Sequence, residues 1–166
     1  MANQKTKNLV LAALFVALSA AGAAIKVPSP TGTVAFDSAP GYLAALLLGP
    51  GYGAMTAALG HLFTSLSAGF PLSLPVHLII AVEMAAFASI YGILKRFNLL
   101  LAVILTSLLN GILAPASFIP LPQFGTGFFT AMVIPLMVAS AANVAVSFLI
   151  YKAVGGLKHG AIRQEQ

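Results

Sequence analysis

The sequence predicts an all-α integral membrane protein of six transmembrane helices, with structured extracellular loops and both termini cytoplasmic. Three observations carry this. Of 166 residues, 60% are hydrophobic and only 7% are charged, against roughly 25% charged in soluble domains, too few to cover a water-facing surface. A helical span takes about 20 residues, so six spans with short loops use nearly all of 1–166 as a single membrane domain. Six spans also sort the basic residues. Lys5, Lys7, Lys95, Arg96, Lys152, Lys158 and Arg163 fall on one side and Lys26 alone on the other, and the positive-inside rule makes the crowded side cytoplasmic.

The formal charge of +5 is thus read as membrane topology, and no nucleic-acid surface is expected. Cysteine is absent, which removes disulfides, thiolate metal sites and cysteine nucleophiles.

The N-terminus has the basic start and apolar run of a signal peptide. Its length, and the comparable runs behind it, favour a retained first span over about 8–25. Ala13, Ala17 and Ala21, with Ala20 and Ala24, recur four apart. Small residues at that spacing share a helix face and let another backbone approach, either inside the chain or as a docking stripe.

Pro28, Pro30 and Gly32 exclude a helix from Lys26 to Phe36. Span two, over 37–48, opens with Asp37-Ser38 as N-cap and Pro40 in its first turn. A dozen residues rise about 18 Å against a core of roughly 30 Å. The loop therefore dips into the protein, or the helix starts below the surface. Irregular backbone at that depth is tolerated only where protein or a water-filled cavity surrounds it, so a cavity is expected here.

Gly49 to Gly53 turns the chain into span three, over 52–67, which carries His61, Thr64 and Ser65. After the apolar loop Ala68 to Leu74, span four (75–94) carries His77 and Glu83 and ends at Lys95-Arg96. Span five (99–116) carries Asn110, and span six (128–151) carries Asn143. The polar tail from Lys152 onward is expected to fray.

By depth, Asp37, His61, His77, Glu83 and Asn110 cluster in the outer half, while the inner half holds little beyond Asn143 and Ser140. Ionisable residues inside a membrane are costly and face an interior, a partner or a ligand. Each has a plainer role as well: Asp37 as a helix cap, His77 at the interface, Asn110 as a bridge between helices. Glu83 can be protonated, paired with His61 or His77, or in contact with a ligand. Phe70, Phe118, Gln123 and Phe124 lie on loops at the outer mouth, as membrane anchors or as stacking surfaces.

No catalytic constellation is present. HExxH, GxSxG and a paired-aspartate motif are missing, and GPGYG lacks the lysine and spacing of a phosphate loop. The chain is read as a non-enzyme that needs no cofactor or metal. An internal repeat, which would suit a self-sufficient secondary transporter, is not visible.

The stripe Ala13-Leu14-Phe15-Val16-Ala17, the structured first outer loop and the short second span turning through Leu48-Gly49-Pro50-Gly51-Tyr52-Gly53 together resemble the substrate-binding (S) components of energy-coupling factor (ECF) transporters. The resemblance implies a vitamin-capture subunit of the bacterial cytoplasmic membrane, closed by its first, third and fifth loops. Such a subunit docks through Ala13, Ala17 and Ala21 to an EcfT-like coupling subunit with two ATPases, topples in the bilayer and releases substrate inside. Asp37 through Pro40, with Gly60-His61-Leu62, Gly69-Phe70-Pro71-Leu72, His77-Leu78-Ile79 and Glu83-Met84, looks most like the subgroup for α-ribazole, a vitamin precursor of cobamide salvage. The implied substrate site takes in Asp37, His61, Phe70, His77, Glu83, Asn110 and Phe124. Thiazole, pyrimidine and pantothenate S components remain alternatives. From other classes, a haem- or quinone-binding membrane anchor would use His61 and His77, and an intramembrane enzyme would use Glu83 with a histidine but lacks a nucleophile.

Overall fold

Proline and glycine set most of the helix boundaries. The computed structural model describes residues 3–164, with side chains over 3–155. Its helices are α1 (Gln4–Gly22), α2 (Ala39–Leu47), α3 (Pro50–Ser67), α4 (Leu74–Leu94), α5 (Leu99–Leu108), a π-helical turn (Leu109–Leu113), α6 (Ala114–Ala116) and α7 (Gly125–Gln164). The π turn runs straight from α5 into α6, so the helices form six rods. Among the described residues the β-structure amounts to one isolated bridge between Lys26 and Ala35. Four stretches among the described residues are long and apolar enough to cross a membrane: Gln4–Gly22, Leu74–Leu94, Leu99–Ala116 and Gly125–Gly155.

Helix α1 shows what kind of solvent the bundle is built for. It buries Ala12 and Ser19 while Leu14 and Leu18 stand 56% and 55% exposed. A hydroxyl inside and leucines outside is the inverse of a soluble amphipathic helix, and it suits a lipid surround.

The nine residues of α2 rise only about 13 Å. The helix is enclosed by α1, α3, α4 and α7, with Gly41 to Leu46 all buried. Tyr42 meets Tyr91 edge-on at 5.7 Å, and Leu46, Ala57, Met84, Ala88, Ala102 and Val144 complete the core. At its C-terminus the Leu46 carbonyl, an orphan acceptor of the last turn, receives the Lys95 ammonium. That ammonium also lies 5.0 Å over the Tyr151 ring, which ties α2, α4 and α7 together at this end.

Two boundary expectations are corrected. Gly49, at φ 105°, turns the chain alone, and α3 begins at Pro50 because a proline at the first helical position is pre-set for the helix. Gly53 is therefore helical and does more than turn the chain. A Cβ there would stand 2.3 Å from the Ala45 Cβ, and one on Gly41 would stand 2.8 Å from the Ala57 Cα. These glycines let α2 and α3 pack backbone to backbone. At the other end of the chain, α7 continues to Gln164 through the tail expected to fray. The side chains of Lys158 and Arg163 lie outside the described residues.

The π turn has a local cause. Pro115 lacks an N–H, and its ring would collide with the carbonyl four residues back, that of Gly111. Widening the helix over Leu109–Leu113 absorbs the conflict. Gly111 then packs against α7, where a Cβ would lie 2.8 Å from the Met137 Cα.

Candidate ligand-binding cavity

The segment between α1 and α2 descends into the bundle as a narrow ribbon. Val27 N–H donates to Val34 O at 2.9 Å, Phe36 N–H to Ile25 O at 3.0 Å, and Gly32 N–H closes a turn on Ser29 O at 3.2 Å. Gly22 lets the returning strand lie on α1, since a Cβ there would stand 2.2 Å from the Phe36 carbonyl oxygen. Val34, Ala35, Asp37 and Ser38 end up buried. Non-helical backbone thus reaches depth beside a cavity, as the shortness of α2 requires.

The start of α2 is capped from a distance. Asn143 Oδ1, on α7, accepts the Ala39 N–H at 2.8 Å. Its Nδ2 donates to Ala35 O at 2.9 Å and to Ala139 O at 2.8 Å. Pro40 has no N–H to satisfy, and Tyr42 N–H reaches Ser38 O at 3.0 Å. Ser38 occupies the N-cap position without a side-chain cap bond, its hydroxyl donating to Asp37 Oδ1 at 3.1 Å instead. The expected Asp37-Ser38 cap is therefore corrected: Asn143 caps the helix, and the Asp37 carboxylate is left to face the cavity.

That cavity gives the centres of water-sized molecules about 70 Å³, where one water needs roughly 10–15 Å³. Its polar lining includes Asp37, Ser38, His61, Glu83, Asn110 and Asn143, with Thr31 and Thr33 from the loop, and Met84, Phe118, Phe128 and Met132 supply apolar wall. Glu83 Oε2 is buried with no hydrogen-bond partner among the described residues. An unmatched buried acceptor costs about 1–3 kcal/mol, more when charged; the same carboxyl group lies within hydrogen-bonding reach of the Ser117 side chain. Asn110 reaches the cavity from the π turn, a distortion that is frequent at functional sites.

The residues singled out from sequence separate into two groups. Asp37, His61, Glu83 and Asn110 come together on the cavity wall, whereas Phe70, His77 and Phe124 do not line it. His77 stands behind His61, its Nδ1 lying 3.2 Å from His61 Nε2 and 2.9 Å from Ser65 Oγ. The Phe70 ring packs on His77 at 5.8 Å. Phe124 packs at 5.3 Å on Phe118 and 4.8 Å on Phe128, behind the two rings that form the wall.

Glu83 makes no bond to either histidine among the described residues. The two imidazoles bond to each other, so no macrocycle fits between them as a haem would require. Asn143, which depth along its own segment places in the inner half, lines the cavity as well. The signal that would have found it is the length of α2: a helix that starts deep needs its N-terminal partner equally deep. Ala13, Ala17 and Ala21 all lie on the exposed face of α1.

A small, mostly apolar chamber with a few polar groups, set under loops and between apolar helices, has the form of a membrane-embedded binding site. The family model described as the ECF transporter, substrate-specific component, matches residues 7–155, and the chain belongs to this family. Members work in the membrane with an EcfT-like subunit and ATPases. A solved structure described as the S component of a bacterial ECF transporter superposes with a TM-score of 0.73 at 19% identity, covering 93% of this chain and 98% of that one. At this identity the likeness is one of fold. No curated protein matches the sequence.

Proposed function

We propose that the chain captures a vitamin precursor, α-ribazole as the best reading, on the extracellular side of the bacterial cytoplasmic membrane, with uptake driven by two partner ATPases. The observation that carries the reading is the composition of the cavity wall. Acceptors at Asp37 and at the unpartnered Glu83 Oε2 suit sugar hydroxyls. Phe118 and Phe128 offer apolar ring surface to a heterocyclic base. The void is tight for a nucleoside, so this reading has the cavity wall widen on binding. Thiazole, pyrimidine and pantothenate-type ligands share the need for a polar anchor beside an aromatic wall and are the competing substrates.

In this reading the chain is a multi-pass protein of six spans with both termini cytoplasmic. Lys5, Lys7, Lys95, Arg96 and Lys152 mark the inner side and Lys26 the outer. The exposed alanines of α1 dock on the coupling subunit. Titration calorimetry of the purified subunit, without ATP, tests the substrate. Saturable one-to-one binding of α-ribazole supports the reading. Binding of a thiazole, pyrimidine or pantothenate compound in its place moves the chain to that subgroup, and binding of none overturns the capture role.

A further inference from the structure

We propose that His61 turns an N–H at Nδ1 toward the bound molecule and that the loop before α4 sets this polarity through His77. The ligand then brings a lone-pair acceptor to His61, either an unprotonated aromatic ring nitrogen or a carbonyl oxygen. The proposal rests on the reading of the cavity as a substrate site.

The chain of bonds starts at the loop. The backbone N–H of Leu72 donates to His77 Nε2 at 3.4 Å. A backbone N–H can only donate, so Nε2 keeps its lone pair and a neutral imidazole holds its proton on Nδ1. That Nδ1–H faces Ser65 Oγ at 2.9 Å and His61 Nε2 at 3.2 Å. Ser65 Oγ accepts the His77 Nδ1–H, and its single proton points to the His61 side, where His61 O lies at 2.8 Å and His61 Nε2 at 3.2 Å. A proton on His61 Nε2 would set two N–H groups face to face across 3.2 Å. The network is satisfied without that conflict when His61 carries its proton on Nδ1.

No hydrogen bond reaches His61 Nδ1 among the described residues, and His61 is a cavity-lining residue. Its donor is thus free for the ligand. Glu83 Oε2 has the opposite character, an acceptor without a donor. The cavity therefore asks for a molecule with two polarities: an acceptor where it meets His61 and hydroxyl or amino donors where it meets Glu83. A neutral heterocycle carrying a hydroxylated sugar has both. His77 touches no ligand in this scheme and is a positioning residue. Phe70, packed on the His77 ring, holds it in the plane the network needs. Because Leu72 belongs to the loop and also lines the cavity, a loop held open withdraws the bond that fixes the tautomer.

The test has two readouts. Long-range ¹H–¹⁵N correlation spectra of ¹⁵N-histidine-labelled, ligand-free subunit report the tautomers directly, with His61→Gln and His77→Gln spectra giving the assignment. Nδ1–H on both histidines is expected, and Nε2–H on His61 overturns the proposal whether or not any ligand is known. The second readout compares α-ribazole with its indole analogue, in which the free ring nitrogen is replaced by CH. A preference of about tenfold or more is expected for one good hydrogen bond. His61→Gln, whose amide supplies an N–H, retains the preference and His61→Ala loses it. His77→Ala lowers the preference while leaving affinity for the indole analogue unchanged. Equal losses for both compounds in His77→Ala overturn the positioning role. If neither compound binds, the substrate reading fails, and the spectra still decide the tautomer.

Discussion

Asn143 Oδ1 lies 2.8 Å from the Ala39 amide nitrogen, across 104 positions of sequence. One side chain on the last helix thereby caps the second helix and holds the Ala35 carbonyl of the ribbon above it. It is the joint between the first-loop segment, the shortest of the six rods and the cavity wall.

Asn143→Ala leaves the Ala39 N–H and the Ala35 carbonyl without partners. A loss of about 1–3 kcal/mol for each buried group left unsatisfied is expected, seen as a lower thermal midpoint of the purified subunit and weaker substrate binding. Asn143→Asp keeps the acceptor for Ala39 and should fall between the two. A midpoint equal to wild type in Asn143→Ala would show that water replaces the cap.

The contact of α2 with α3 is tested by a pair of glycines. Gly53→Ala drives a Cβ to 2.3 Å from Ala45 and should cost about 1–3 kcal/mol by overpacking. Gly51→Ala, with nothing within 4 Å, should be neutral or slightly stabilising. Thermal unfolding of the two variants side by side checks this, and equal midpoints would count against backbone-to-backbone packing.

Glu83→Gln replaces the carboxyl group by an amide and should weaken α-ribazole binding about tenfold, on the order of one good hydrogen bond. The measurement is the dissociation constant by calorimetry. An unchanged constant removes Glu83 from the site.

Ala13→Leu or Ala17→Leu places a bulky side chain on the exposed face of α1, where no other helix of the chain packs. Uptake by cells should be lost while substrate binding by the isolated subunit stays as in wild type. Equal loss of both would make the stripe an internal packing surface.

How much was legible beforehand differs from element to element. The rods of α4, α5 and α7 announce themselves by length and apolarity, which depend on neighbours only weakly. The dip of the first loop was also legible, because twelve residues cannot cross a bilayer whatever surrounds them. Gly53 is legible only in part. A glycine near Gly-Pro-Gly reads as a turn, and only the approach of Ala45 shows it to be a contact. Asn143 was missed because its role is set by a partner on another helix, and no spacing within its own segment encodes that. His77 was legible as a buried histidine, while its place behind His61 depends on how α3 and α4 pack.

By itself, then, the sequence determined the apolar, all-helical character of the chain, the order of its rods and which polar groups they carry. Composition, span length and charge placement act locally and add along the chain. Tertiary structure alone decided which of those groups share a cavity and which support it: Asp37 freed by the Asn143 cap, Glu83 Oε2 left without a donor, His61 backed by His77. Those assignments depend on directional hydrogen bonds between side chains on different helices, and direction exists only once the helices have packed.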